Sequence, residues 1–261
     1  MNFGTKGCIH NCGDECTGEC IKVKTKTNMS KNINWSGYEW LTQERWGQYH
    51  PSKDFCYYDP KAVSIDENQK LTLKTHFNPK TFKGKKINIG VGLISCVEKF
   101  SYGYFEIEAK LPKGKNLWPA FWMWSFESWP PEVDIFEGYT GSKGSYFNFD
   151  IKNPLGFWKV ETNIHLGSQP DNYSLGSKTH WLGFKNPSNT YNKYACLWVE
   201  DKIEIYFNGR LVRKITDEET MSQLKGKTMN VIINNHVDYN IDTTSKSQSE
   251  FKIKQFTYKK L

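Results

Sequence analysis

The sequence predicts an all-β fold, a jelly-roll sandwich of two antiparallel sheets, and three observations carry that expectation. From Trp35 onward the dominant hydrophobic period is two, turn residues punctuate the chain at short intervals, and one segment alone has helical character. A chain of 261 residues with 38% apolar side chains can build one large core of this kind.

The elements are legible in turn. In "GYFEIEAKLP", Phe105, Ile107, Ala109 and Leu111 share one face, and Tyr104, Glu106, Glu108 and Lys110 take the other. "LTLKTHF", "YFNFDI", "KYACLWV", "KIEIYF", "MNVIIN" and "FKIKQF" alternate in the same way, as strands with one face in the core do. Asn208-Gly209, between "IEIYF" and "RLVRKI", predicts a two-residue hairpin turn. "TDEETMSQL" predicts the helix, with Thr216 as N-cap and Glu219 closing a capping box. All ten prolines are expected at joins and in loops, because a proline inside a sheet forfeits a ladder hydrogen bond. Many short strands with almost no helix make a sandwich.

The first thirty residues read differently and are expected to form a separate segment from a domain spanning 31–261. "CIHNCGDECTGEC" places Cys8, Cys12, Cys16 and Cys20 at a four-residue period with His10 among them. Oxidised, these would form two disulfides; reduced, they would bind zinc, although zinc sites more often carry C-x-x-C pairs; a loosely ordered tail is the third reading.

Charge and hydropathy narrow the function classes. The net charge of +7 is spread over alternating Lys and Glu, with no basic cluster interleaved with aromatics, which argues against nucleic acid as partner. No run approaches the ~18 apolar residues of a membrane span, and the N-terminus lacks the apolar core of a signal peptide. A soluble monomer is expected. Aromatics make up 15% of the chain, with 10 Trp, an unusually high share that serves cores and wet binding grooves alike.

The chemistry is concentrated in "WPPEVDIFEGYTG", where Glu132, Asp134 and Glu137 stand among Val133, Ile135 and Phe136. Ionised carboxylates beside apolar side chains cost several kcal/mol unless paired or hydrogen-bonded, so either this strand has a wet polar face or its acids do chemistry. Glu132 and Asp134 share a face, and Glu137, at i+5, joins them only if one residue near Ile135-Phe136 is absorbed as a β-bulge. Val133 and one of the Ile135-Phe136 pair would then face the core. Three acids on one face repel and must share protons. Glycoside hydrolysis uses such a set, with two carboxyls about 5–5.5 Å apart for a retaining double displacement; Asp134 would hydrogen-bond Glu132 and tune its charge.

"YGYFEIEAKLPKGKNLWPAFWMW" followed by "WPPEVDIFEG" closely resembles the family-16 glycoside hydrolases, which are concanavalin-like jelly-roll endo-β-glycanases with an open cleft. These include laminarinases, lichenases, agarases and carrageenases. The resemblance runs over roughly residues 35–258, through "NKYACLWVEDKIEIYFNGRLVRKI" and "MNVIINN". Glu132, Asp134 and Glu137 match the family's bulged pattern, E-x-D-x-x-E. The resemblance implies that Glu132 is the nucleophile and Glu137 the acid/base, an assignment the residues themselves do not make. It also implies a sugar cleft lined by Trp118, Trp122 and Trp124, a cleft histidine near the acid/base at His165, and a matching asparagine at Asn234.

The implied substrate is a polysaccharide, a β-1,3- or β-1,3-1,4-glucan before a β-galactan such as agar or carrageenan, cut internally without a cofactor and outside the cell. Two departures stand out. Leu93 replaces an arginine common in the family, removing one polar sugar contact, and "FKIKQF", with Lys252 and Lys254, lacks the acid that would favour a structural calcium. A transglycosylase would use the same residues, and a non-catalytic carbohydrate-binding relative would typically lack one of the two glutamates.

Overall fold

The computed structural model describes residues 32–49, 55–150 and 153–261. The cysteine-rich segment and its boundary at residue 30 lie outside the described residues. In chain order the strands are β1 (Ile33–Trp35), β2 (Tyr38–Leu41), β3 (Cys56–Tyr58), β4 (Val63–Ile65), β5 (Leu71–Phe82), β6 (Lys85–Val91), β7 (Leu93–Cys96), β8 (Gly103–Lys110), β9 (Leu117–Ser125) and β10 (Glu132–Glu137). There follow β11 (Phe147–Asp150), β12 (Asn153–Leu166), β13 (Tyr173–Ser174), β14 (Lys178–Gly183), β15 (Asn192–Val199), β16 (Lys202–Phe207), β17 (Arg210–Ile215), helix α1 (Glu218–Leu224), β18 (Met229–Val237) and β19 (Ser249–Lys260).

They form a sandwich of two sheets. The first runs β1-β2-β7-β18-β9-β10-β12-β11, with β13 and β14 also paired to β12; the second runs β17-β16-β15-β8-β19-β5-β6-β3, with β4 on β5. Pairing is antiparallel except at one edge, where β3 runs parallel to β6, a departure from the all-antiparallel expectation.

The core lies between the sheets. Phe105, Ile107 and Ala109 of β8 meet Phe121 and Met123 of β9, with Phe251 and Ile253 of β19 beside them. Fully burying a side chain of this size stabilises by about 1.5–3 kcal/mol, and the alternation of β8 follows from that one-sided burial. In β18 every position is buried, because Met229, Val231 and Ile233 face the core while Ile232 and Val237 join a second apolar cluster with Leu93, Trp122 and Trp124. The outer face of this sheet is therefore itself partly covered.

Two local expectations are corrected. The N-cap of α1 is Asp217, not Thr216, and its side chain accepts from the Thr220 amide at 2.9 Å. Prolines do enter strands: Pro79 lies at a register shift in β5, Pro154 in β12, and Pro119 in β9. The Pro119 carbonyl accepts from Gly138 at 2.9 Å just past the end of β10, so its missing N–H falls where that ladder stops.

Asn208 and Gly209 form the hairpin turn between β16 and β17, with φ of 49° and 78°. A Cβ on Gly209 would meet nothing within 4 Å, so only backbone strain opposes a side chain there. Gly209→Ala should lower unfolding free energy by about 1 kcal/mol in a denaturant titration, the cost of left-handed backbone for an L-residue. Asn208→Gly should also be destabilised, because Asn208 Oδ1 accepts from the Lys193 amide at 2.8 Å and its Nδ2 donates to Asn192 Oδ1 at 2.9 Å.

Candidate active site

The site is built on β10. Against β9, Glu132 stands opposite Trp124 and Asp134 opposite Trp122; the register then slips, so that Phe136 faces Phe121 and Glu137 faces Ala120. Ile135 is the extra residue of a β-bulge. Against β12 the same slip leaves Glu132 opposite His165, Asp134 opposite Asn163 and Glu137 opposite Glu161. Directly opposed residues share a face, so the three acids stand together. Ile135 and Phe136 both point into the core at 0% exposure, where one of the pair was expected. The bulge turns two consecutive side chains inward, and that inward step returns Glu137 to the outer face.

Each carboxyl has its own donors. Glu132 Oε2 accepts from Trp129 Nε1 at 2.7 Å, and its Oε1 lies 3.8 Å from His165 Nε2. The same imidazole nitrogen is 3.4 Å from Asp134 Oδ2 and 3.1 Å from Asn163 Nδ2. His165 thus stands against Glu132 and Asp134, and it is also near enough to Glu137 for its charge to act on that carboxyl. Glu137 Oε1 accepts from both Trp118 Nε1 at 2.9 Å and the Tyr139 hydroxyl at 2.7 Å, and those two rings stack with centroids 5.2 Å apart.

Trp122 and Asn234 form a pair, the indole N–H donating to Asn234 Oδ1 at 2.7 Å. Trp124 is only 6% exposed, with the Arg45 guanidinium 4.0 Å over its ring and the edge of Trp46 against it; Trp46, 42% exposed, is the ring that meets solvent there.

Trp129, Tyr139 and Glu161 were not singled out in the sequence. Tyr139 lies two residues after Glu137, a spacing that could have flagged it. Trp129 acts across a proline pair and Glu161 across strands, and neither leaves a local signal. Among the described residues, Glu132, Asp134 and His165 form the one group whose atoms converge, within 4.8 Å, closely enough to hold a metal ion; the same set is an acid–base network.

This geometry meets its counterpart in sequence comparison. The profile of "Glycosyl hydrolases family 16" matches residues 51–255. The chain belongs to this family. Among curated relatives it is 30% identical over 168 residues to glucan endo-1,3-beta-glucosidase A1 of Niallia circulans, covering 60% of this chain and 23% of that protein. It is 33% identical over 116 residues to a beta-1,3-glucan-binding protein of Penaeus monodon, covering 41% and 29%. The chain thus spans under a third of the length of these relatives. The fold matches a family 16 endo-glucanase from Bacteroides ovatus, solved with G4G3G-2F-DNP, at a TM-score of 0.65 and 19% identity over 84% of this chain and 94% of that one.

Within this family 16 site both glutamates are held above the ordinary carboxylate range. Withdrawal from water is the main cause for Glu132; the adjacent Asp134 pushes the same way, against His165 and the Trp129 N–H. Burial also dominates for Glu137, with the Tyr139 and Trp118 donors and His165 opposing and Glu161 adding to it. A carboxyl whose folded pKa is raised stabilises the fold fully below its unfolded value, about 4.3, and that contribution is lost as pH rises through the folded value. Glu132→Gln should therefore melt above wild type at pH 8, with the difference closing as pH falls below 4. A scan of melting temperature against pH reads this directly.

Proposed function

We propose that the protein is a retaining endo-β-glycanase that hydrolyses internal linkages of a polysaccharide, a β-1,3- or mixed-linkage glucan before a galactan. The observation that carries this reading is the bulge at Ile135, which sets Glu137 on one face with Glu132 and Asp134. Glu132 attacks the anomeric carbon and forms a glycosyl ester while Glu137 protonates the departing oxygen. Glu137 then takes a proton from water, the water attacks the same carbon, and Glu132 leaves with net retention.

The hydrogen bonds fit these roles. Both donors to Glu137 fall on Oε1, which leaves Oε2 to carry the transferable proton. Asp134 shares the charge of the pair with Glu132, and His165 beside both balances it as the ester forms and breaks. Trp122 and Trp118 flank the acids as sugar-binding surfaces, and Asn234 fixes Trp122. The enzyme would act as a monomer and without a cofactor; no helix among the described residues is long and apolar enough to cross a membrane. One relative is named for glucan binding alone, but a complete set of three acids, each with partners, favours turnover here.

Glu132→Gln and Glu137→Gln should each cut turnover about 10³-fold or more while the circular dichroism spectrum is kept, assayed by reducing ends on laminarin, mixed-linkage glucan, agarose and carrageenan. Azide should partly rescue Glu132→Gly and yield the inverted glycosyl azide. Near wild-type rates in either Gln variant would end this assignment.

Glu161 tests the acid/base role separately. It stands opposite Glu137, its charge partly offset by Lys159 Nζ at 3.3 Å. Glu161→Gln removes a charge that raises Glu137, so the alkaline limb of kcat/KM should move to lower pH with the acid limb little changed.

A further inference from the structure

The acid-bearing face continues beyond the acids. On β12, Glu161, Asn163 and His165 face the same way as Glu137, Asp134 and Glu132, and Lys159 is two residues further along that face. Strand β14 is paired to β12 with Glu161 opposite Thr179 and Lys159 opposite Trp181. Trp181 is therefore on the acid-bearing face of the sheet, at its edge. The alternation of β14 agrees, since Leu182 is buried in the core and His180 packs against Phe207 inside the sandwich.

Trp181 is 38% exposed, and the ring of Phe184, 81% exposed, stands edge-on to it with centroids 4.9 Å apart and planes at 79°. Arg210 comes from the hairpin of the opposite sheet. It donates to the Trp181 carbonyl and sets its guanidinium 5.4 Å from the indole centroid. Arg210 thus lies against one side of the indole, which keeps apolar surface open to solvent.

We propose that Trp181 and Phe184 form a distal sugar-stacking platform that binds a glycosyl unit of the same polysaccharide, several units beyond the scissile bond on the Glu137 side. This rests on the glycanase reading above. With strands ~4.8 Å apart and ~3.4 Å per residue, the Trp181 Cα is about 12 Å from that of Glu137, two strands across and two residues along. That is too far for the ring bonded at the scissile oxygen and suited to one further down the chain. The negative face of an aromatic ring attracts the weakly positive C–H hydrogens of a pyranose. The occupant follows from continuity: a chain crossing the strands from Trp122 past the acids leaves the sheet over β14. The platform would favour long chains and fix where they are cut.

The test is calorimetry in the Glu132→Gln background, with and without Trp181→Ala plus Phe184→Ala. Trimers and hexamers of the β-1,3-gluco-, mixed-linkage gluco- and agaro-oligosaccharide series serve as probes, and melting temperatures check that the variants fold. For the series that binds, the hexamer should lose tenfold or more in affinity when the platform is removed, and the trimer less than twofold. Equal hexamer affinity with and without the platform overturns this inference while leaving the glycanase reading standing. Failure of every series to bind overturns both. If sizing shows a dimer that the double substitution abolishes, with hexamer affinity unchanged, the exposed edge is a contact between copies and the inference falls.

Discussion

The bulge at Ile135 is the constraint on which the rest of the site depends. Its energy comes from the dry side of the sheet. Ile135 and Phe136 are both buried, and Phe136 packs on Tyr194 at 4.4 Å and edge-on to Phe251 at 6.1 Å. Two buried side chains of this size are worth about 3–6 kcal/mol, enough to hold an irregular backbone whose outer consequence is three clustered carboxyls. The wet face is unfavourable by itself and the dry face is not. Taking either residue out of β10 would shift every later position, from Gly138 on, by one.

The outer face is tuned by neighbours reaching in from several elements. Trp118 comes from β9, Trp129 from the turn before β10, Tyr139 from just after it, and His165 and Glu161 from β12. Each glutamate accepts indole or hydroxyl donors, yet burial outweighs them, so both carboxyls stay easy to protonate. Such tension is a cost in stability that the proposed chemistry would explain. The two glutamates also differ in their surroundings: Glu137 is presented by two donors on one oxygen, while Glu132 is held in a shared network with Asp134 and His165.

Much of this was legible in the chain. Period two in β8, the Asn208-Gly209 turn and the E-x-D-x-x-E spacing are local signals, and the sandwich, the hairpin and the bulge follow from them. The misses were non-local. Both bulge residues turn inward because the core has room for both, which spacing cannot show. Trp124 reads as a cleft ring until Arg45 and Trp46, some eighty residues earlier, are seen to cover it. That His165 also meets Glu132 and Asp134 follows from the antiparallel register of β12, and register between distant strands is not written in either one.

The cleft floor on the far side of the acids shows how a single departure propagates. Leu93, where the family resemblance implies an arginine, is opposite Asn234 in the sheet and 1% exposed. It is packed in one apolar cluster with Trp124 and Ile232, against which Trp122 rests. An arginine there would have a guanidinium to satisfy beneath an indole. With leucine the position is sealed, and Asn234 is free to accept the Trp122 N–H while its amide donates to the Trp118 carbonyl at 3.2 Å. The two tryptophans are thus tied through one asparagine, which fixes the orientation of the Trp122 ring without a charged group. On the glycanase reading proposed above, a surface built that way would select by the shape and linkage of the sugar chain.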